Sequence, residues 1–314
     1  MEKTLFGKLG EKDVYKISIE VGAYKIEVLT YGANLSWYGS RERNFVLSHS
    51  TLDEYIDDPS YQGCIVGPVA NRIKDGKFSL SGETFQLDIN DNSNTLHSGS
   101  ACYGRKVWSI AGVGANSVSL ILATEENDGG FPGSHEIMVT YSLYEDGCLN
   151  ISYRTTSSKK CPVAITNHAY FNLNGDLSDI RNTSLMIPAS FYVDVDELLI
   201  PRSVSAVAGT DFDFRESIAI GDRRDGCYDN TFVLDKNGII KAEGKCAILE
   251  CRTTEPSVQL YTGEYLDDEH GMHAGFCLET GRYPDTPNHP EYPQAFTGPG
   301  EEYISNTTYR LRLK

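Results

Sequence analysis

Helical patterning is almost missing from this sequence. One short segment, Leu52 to Ile56 behind Thr51, reads as a turn or two of helix with a threonine cap, and no sustained amphipathic stretch follows elsewhere. That absence argues against repeated βα units, and so against Rossmann and TIM-barrel architectures. Long apolar runs are missing too. Nothing approaches the roughly eighteen consecutive apolar residues of a membrane span. The first ten residues carry Glu2, Lys3 and Lys8 but no apolar segment of the signal-peptide kind. These absences favour a cytoplasmic location. No Pro-, Gly- or Ser-rich linker and no exact repeat divides the chain, so a single domain over residues 1–314 is expected.

Positive charge is scarce. Lys and Arg number 28 against 44 Asp and Glu, a net charge of −16, and the Arg223-Arg224 pair is flanked by Asp222 and Asp225. Such a surface repels a phosphate backbone, so nucleic acid is not an expected partner and a polyanionic substrate is disfavoured. A neutral ligand is the easiest to accommodate. Cysteine is modest, with 8 in 314 residues and no C-x-x-C pair. Cys246 and Cys251 are the nearest two, with no similar pair to complete a tetrahedral zinc site. Most of the eight are expected to be reduced, buried and small.

What the sequence does have is alternation. Tyr15, Ile17, Ile19 and Val21 interleave with Lys16, Ser18 and Glu20, one apolar and one polar face at a period of two. Ile137, Val139, Tyr141 and Leu143 do the same before Glu145-Asp146-Gly147. Leu149, Ile151 and Tyr153 resume after it, which predicts a hairpin. Shorter strand-like runs lie at Lys77 to Leu80, Val258 to Thr262 and Tyr309 to Leu313. Polar loops are expected at Asp88 to Asn94, Glu125 to Gly133 and Asp285 to Pro293. Many short strands between Gly, Asn and Asp turns point to an all-β fold, an antiparallel sandwich or barrel.

Chemistry concentrates at a few positions. Glu279 sits in Phe276-Cys277-Leu278-Glu279-Thr280, where a carboxylate is costly to desolvate without a partner or a task; a functional role is favoured there over a structural salt bridge. His168 lies in Thr166-Asn167-His168-Ala169-Tyr170-Phe171, where a period of two puts it on one face with Tyr170. It suits proton transfer near neutrality, but it also reads as a satisfied core or turn histidine. His97 follows the turn-rich Asn90 to Asn94 cluster and is equally compatible with a surface histidine. Asn71 and Arg72, set between apolar residues, can orient hydroxyl groups, although Arg72 could simply snorkel from a strand edge. Asp229 beside a strand-like run is either a hydroxyl-binding carboxylate or a turn residue.

Taken in order, these segments resemble the aldose 1-epimerase family, the galactose mutarotases, over nearly the full length. The series runs Gly67-Pro68-Val69-Ala70-Asn71-Arg72-Ile73, Asn94-Thr95-Leu96-His97-Ser98-Gly99 and Gly129-Gly130-Phe131-Pro132-Gly133. It continues through Thr166 to Leu173, Tyr228-Asp229-Asn230, Val258 to Gly263, Phe276 to Thr280 and Pro299 to Tyr303. The resemblance implies a large antiparallel β-sandwich of the galactose-mutarotase-like supersandwich type. It also implies anomer interconversion of a free aldose, with no redox change, metal or nucleotide. It assigns Glu279 as base and His168 as acid. Arg72, His97 and Asp229 become sugar-orienting residues, with Asn71, Tyr170 and Gln259 as additions. Pro68, Ser98, Asn230 and Gly281 depart from the family's usual pattern and are expected to bear on which aldose is preferred. A non-catalytic sugar-binding protein and an enzyme for phosphorylated sugars are the competing expectations. Monomer or weak homodimer is the expected state.

Overall fold

The two alternating runs around Gly147 become the strands His135–Leu143 and Cys148–Ser157, paired antiparallel with Leu143 opposite Leu149. Gly147 turns the chain with φ 76°. A β-carbon there would lie 2.2 Å from the Leu311 carbonyl oxygen, so both the backbone angle and the space require glycine. The computed structural model describes residues 1–177, 179–266 and 270–314.

The hairpin lies within a nine-stranded sheet. Its order is Ser109–Val113, Ser117–Ala123, His135–Leu143, Cys148–Ser157, Tyr303–Leu313, Ala247–Thr253, Ile240–Glu243, Ser184–Met186 and Ile218–Ala219. A six-stranded sheet runs Tyr170–Phe171, Phe276–Gly281, Ser257–Tyr261, Asp229–Leu234, Ala189–Val195 and Pro201–Ala206. A four-stranded sheet is built from Glu2–Leu9, Lys12–Val21, Tyr24–Leu29 and Leu35–Ser40. The Tyr309 to Leu313 run is the end of an 11-residue strand that pairs with both Cys148–Ser157 and Ala247–Thr253. The helix is Leu52–Asp57, with Thr51 and Glu54 forming a reciprocal capping box. Among the described residues, no helix is long and apolar enough to cross a membrane.

The sheets share one apolar layer. Val139, Tyr141, Ile151 and Leu311 of the nine-stranded sheet cluster with Ile17, Ile26 and Tyr38 of the four-stranded sheet and Phe171, Phe232, Leu260 and Phe276 of the six-stranded one. Buried tyrosines carry polar tips across that layer and satisfy them on backbone carbonyls. The Tyr38 hydroxyl lies 2.7 Å from the Gly147 oxygen and 2.9 Å from that of Tyr309. Tyr309 donates to Leu278 at 2.8 Å and Tyr141 to Ala33 at 2.6 Å. The architecture is a large antiparallel β-sandwich. All eight cysteines are free thiols, five of them buried.

Candidate active site

The alternation that sends Phe276 and Leu278 into the core sends Cys277 and Glu279 to the opposite face of the same strand. Strand register then sets their neighbours. Tyr261 lies opposite Asp229 on one side and Cys277 on the other, and Cys277 lies opposite Tyr170. One row along, Gln259 lies between Thr231 and Glu279. This face of the six-stranded sheet floors a cavity of about 220 Å³.

Three segments wall it. Arg72 begins the short strand Arg72–Ile73, paired with Thr95–Leu96. His97 follows that second strand, at φ 51°, with Ser98 at φ 69°. Two consecutive left-handed residues turn the chain sharply and leave the His97 ring at the cavity. Ser98 holds the turn, its hydroxyl donating to the Val69 carbonyl at 2.8 Å and accepting the Val69 N–H at 2.9 Å. The third segment carries His168 in the break between Thr166–Asn167 and Tyr170–Phe171. The Asn167 amide turns the other way, donating to the Gly63 carbonyl at 2.7 Å, while the His168 and Tyr170 rings meet at 5.1 Å.

At the centre, His168 Nε2 lies 3.6 Å from Glu279 Oε1. Only 4% of His168 and 7% of Glu279 is exposed, so the charged form of each is disfavoured by desolvation. Burial lowers the His168 pKa to about 4. Burial, helped by the negative charge of Asp229 and opposed by Arg72, raises Glu279 well above the usual carboxylate range. Over the intervening pH range the pair holds one proton, the condition for one partner to act as acid and the other as base.

Arg72 is itself held in place. Its Nε meets Asp91 Oδ2 at 2.7 Å and its Nη1 lies 3.8 Å from Asp229 Oδ2. Burial raises the Asp229 pKa, against the pull of Arg72 and of the Gln259 hydrogen bond. Gln259 donates to Asp229 Oδ1 at 2.5 Å and accepts from the Thr231 hydroxyl. It thus holds the Asp229 carboxylate by a side-chain hydrogen bond, and Asn71, Arg72, His97, His168, Tyr170, Asp229 and Glu279 all line the cavity. Residues the sequence reading passed over join them. Asp91 orients Arg72, Tyr61 sets its ring 4.8 Å from that of His97, and Tyr265 stands 76% exposed beside the cavity. Asp91 lay in a segment read only as turn. Tyr61 and Tyr265 carried no local signal in so tyrosine-rich a chain. Pro68, Ser98, Asn230 and Gly281 are not among the described residues lining the cavity. Ser98 reaches the cavity through its neighbour His97, whose turn it holds.

His97, His168 and Glu279 place three donor atoms within 4.8 Å of one another, a grouping with the ligand types of a divalent-cation site. The hydrogen bonding of His97 opposes that use. The Asn71 backbone N–H donates to His97 Nδ1 at 3.2 Å, so the neutral ring carries its proton on Nε2, the other nitrogen. Burial lowers the His97 pKa well below the usual value, and His97 is thereby kept as a neutral hydrogen-bond donor.

Residues 15–310 match the family described as Aldose 1-epimerase. The chain is 34% identical over 341 aligned positions to galactose mutarotase of Rattus norvegicus, with 99% of this chain and 98% of that protein covered. It is 37% identical over 295 positions to aldose 1-epimerase of Escherichia coli, covering 86% and 85%. Among solved structures, an aldose epimerase homologue from C. elegans superposes with a TM-score of 0.89 at 26% identity, over 95% of this chain and 99% of that one. Galactose 1-epimerase from Lactobacillus acidophilus superposes with a TM-score of 0.90 at 24% identity, over 99% and 98%.

Proposed function

The chain belongs to the aldose 1-epimerase family, and from that premise we propose that it interconverts the α and β anomers of a free aldose such as galactose or glucose, with Glu279 as base and His168 as acid. Mutarotase-type isomerisation of an aldose is the general activity. The observation that carries the finer reading is the buried His168–Glu279 pair, 3.6 Å apart on the floor of the cavity. The cavity, smaller than the roughly 300–1,000 Å³ of drug-sized sites, suits a single pyranose.

In this reading Glu279 removes the proton from the anomeric O1 hydroxyl while His168 delivers one to the ring oxygen O5. The C1–O5 bond breaks and O1 becomes the carbonyl oxygen of the open-chain aldehyde. Rotation about C1–C2 presents the other carbonyl face, and the reverse transfers close the ring as the opposite anomer. Neither oxygen has to carry a full charge, which is where acid–base assistance contributes about 10²–10⁴ in rate. In the empty site burial favours the shared proton on Glu279. Hydroxyl groups of a bound sugar supply the hydrogen bonds that favour the ionised carboxylate and move that proton to His168. His97, held as an Nε2–H donor, is suited to steady developing charge on O5. Arg72 and Asp229 are suited to sugar hydroxyls, with Asn71 and Tyr170 alongside.

Polarimetry of freshly dissolved α-galactose and α-glucose tests the proposal: the approach to equilibrium rotation should accelerate in proportion to enzyme. Sugar binding measured by calorimetry without that acceleration would support a non-catalytic binding protein instead. Stronger competition by a sugar phosphate than by the free aldose would overturn the choice of unmodified sugar. We further propose a cytoplasmic single-domain monomer or weak homodimer, its assembly to be read by light scattering.

A further inference from the structure

Both ring nitrogens of His168 are met by side chains of one strand. Glu279 faces Nε2, and Cys277, two residues earlier on the same sheet face, places Sγ 3.5 Å from Nδ1. Cys277 is fully buried, and its thiol pKa is raised well above the usual value by burial, with the Glu279 and Asp229 charges adding to the effect, so the group stays neutral. A neutral thiol donates weakly through S–H and accepts weakly at sulfur. His168 needs an acceptor at Nδ1. As imidazolium it carries a proton on both nitrogens, so Nδ1 must donate. As neutral imidazole, after the Nε2 proton has passed to O5 or to Glu279, the remaining proton is on Nδ1, so Nδ1 must donate again.

We propose that Cys277 is a positioning residue for His168. Its sulfur accepts from Nδ1–H of the neutral ring and of the imidazolium alike, holding Nε2 on the substrate side as the nitrogen that gains and loses the proton. The thiol keeps its own proton throughout. Because no charge is added behind the ring, the imidazolium is not stabilised as a carboxylate would stabilise it. His168 therefore remains a strong enough acid for a weakly basic ring oxygen. This inference rests on the acid role proposed for His168.

The discriminating experiment compares Cys277→Ser, Cys277→Val and Cys277→Ala by steady-state kinetics and by ¹⁵N NMR of the His168 ring nitrogens. Serine keeps an acceptor for Nδ1–H; valine keeps volume but cannot accept. We expect Cys277→Ser to hold kcat within about threefold, and Cys277→Val and Cys277→Ala to lose about tenfold with KM shifted less than about twofold. The spectra should show Nδ1–H imidazole in the wild type and the serine variant, and a mixture of tautomers in the valine variant. The reverse order, with valine active and serine impaired, would show that the sulfur only fills space. An unchanged His168 tautomer in Cys277→Val would overturn the proposal equally. The spectra need no turnover, so they decide this point even if the wild type fails to accelerate anomer exchange and the functional reading falls.

Discussion

His168 and Glu279 face each other at 3.6 Å although 111 positions separate them in the sequence. The contact exists because the Phe276–Gly281 strand pairs with Tyr170–Phe171, immediately after the break that carries His168. Glu279→Gln keeps the size of the side chain and removes the proton acceptor. It should lower kcat by about 10²-fold or more while sugar affinity stays close to wild type. Stopped-flow polarimetry with the spontaneous rate subtracted measures the first quantity, and calorimetric titration the second. Near-normal kcat in a folded variant would remove Glu279 from the role of base.

The same pair sets the pH dependence. As pH falls through about 4, His168 takes up a second proton beside an already protonated Glu279, and no base remains. As pH rises through the elevated range of Glu279, the shared proton is lost and no acid remains. A plot of log kcat/KM against pH should therefore be a bell with a wide plateau across neutrality. A single sigmoid would contradict one shared proton.

Asp91 is the least conspicuous member of the site, yet it meets Arg72 Nε at 2.7 Å. Asp91→Ala leaves the guanidinium to sample other directions above the cavity. The expected result is a KM raised about tenfold, equivalent to the ~1.5 kcal/mol of a charge-assisted hydrogen bond, with kcat changed less. A larger loss in kcat than in KM would place Asp91 closer to the chemistry.

Placing Glu279 in this site also lowers stability. Its folded pKa is raised above the unfolded one, so the folded chain retains a proton that the unfolded chain releases. Stability is fully present below the unfolded carboxylate pKa and declines as pH rises toward the folded value. Glutamine removes that decline. Calorimetry should give Glu279→Gln a higher Tm than the wild type at pH 8 and no such gain at pH 4. Equal or lower Tm at pH 8 would contradict the burial cost assigned to this carboxylate.

Much of the fold could be read locally, because each strand with one face in the core records that face as alternation. The His135–Leu143 and Cys148–Ser157 hairpin and the Thr51 cap were legible for that reason. Which strands become neighbours was not. The strand Tyr303–Leu313 lies between Cys148–Ser157 and Ala247–Thr253 through pairings over long separations, and no local pattern encodes that. The site divides similarly. Glu279 is conspicuous because a carboxylate in an apolar strand contradicts its surroundings, whereas Asp91 in a polar turn contradicts nothing. Gln259 is expected as a sugar contact, and its register opposite Thr231 and Glu279 sets it one row along from Asp229 on the same sheet face, where its amide reaches the Asp229 carboxylate. Only pairing across strands reveals that contact.

The most direct measurement is NMR saturation transfer between the H1 resonances of the α and β anomers, with galactose, glucose, xylose, arabinose and fucose compared side by side. The expected result is enzyme-dependent exchange for at least one free aldose, abolished to near background in Glu279→Gln. Absence of exchange across the whole panel, with folded and sugar-binding protein, would contradict the proposed reaction.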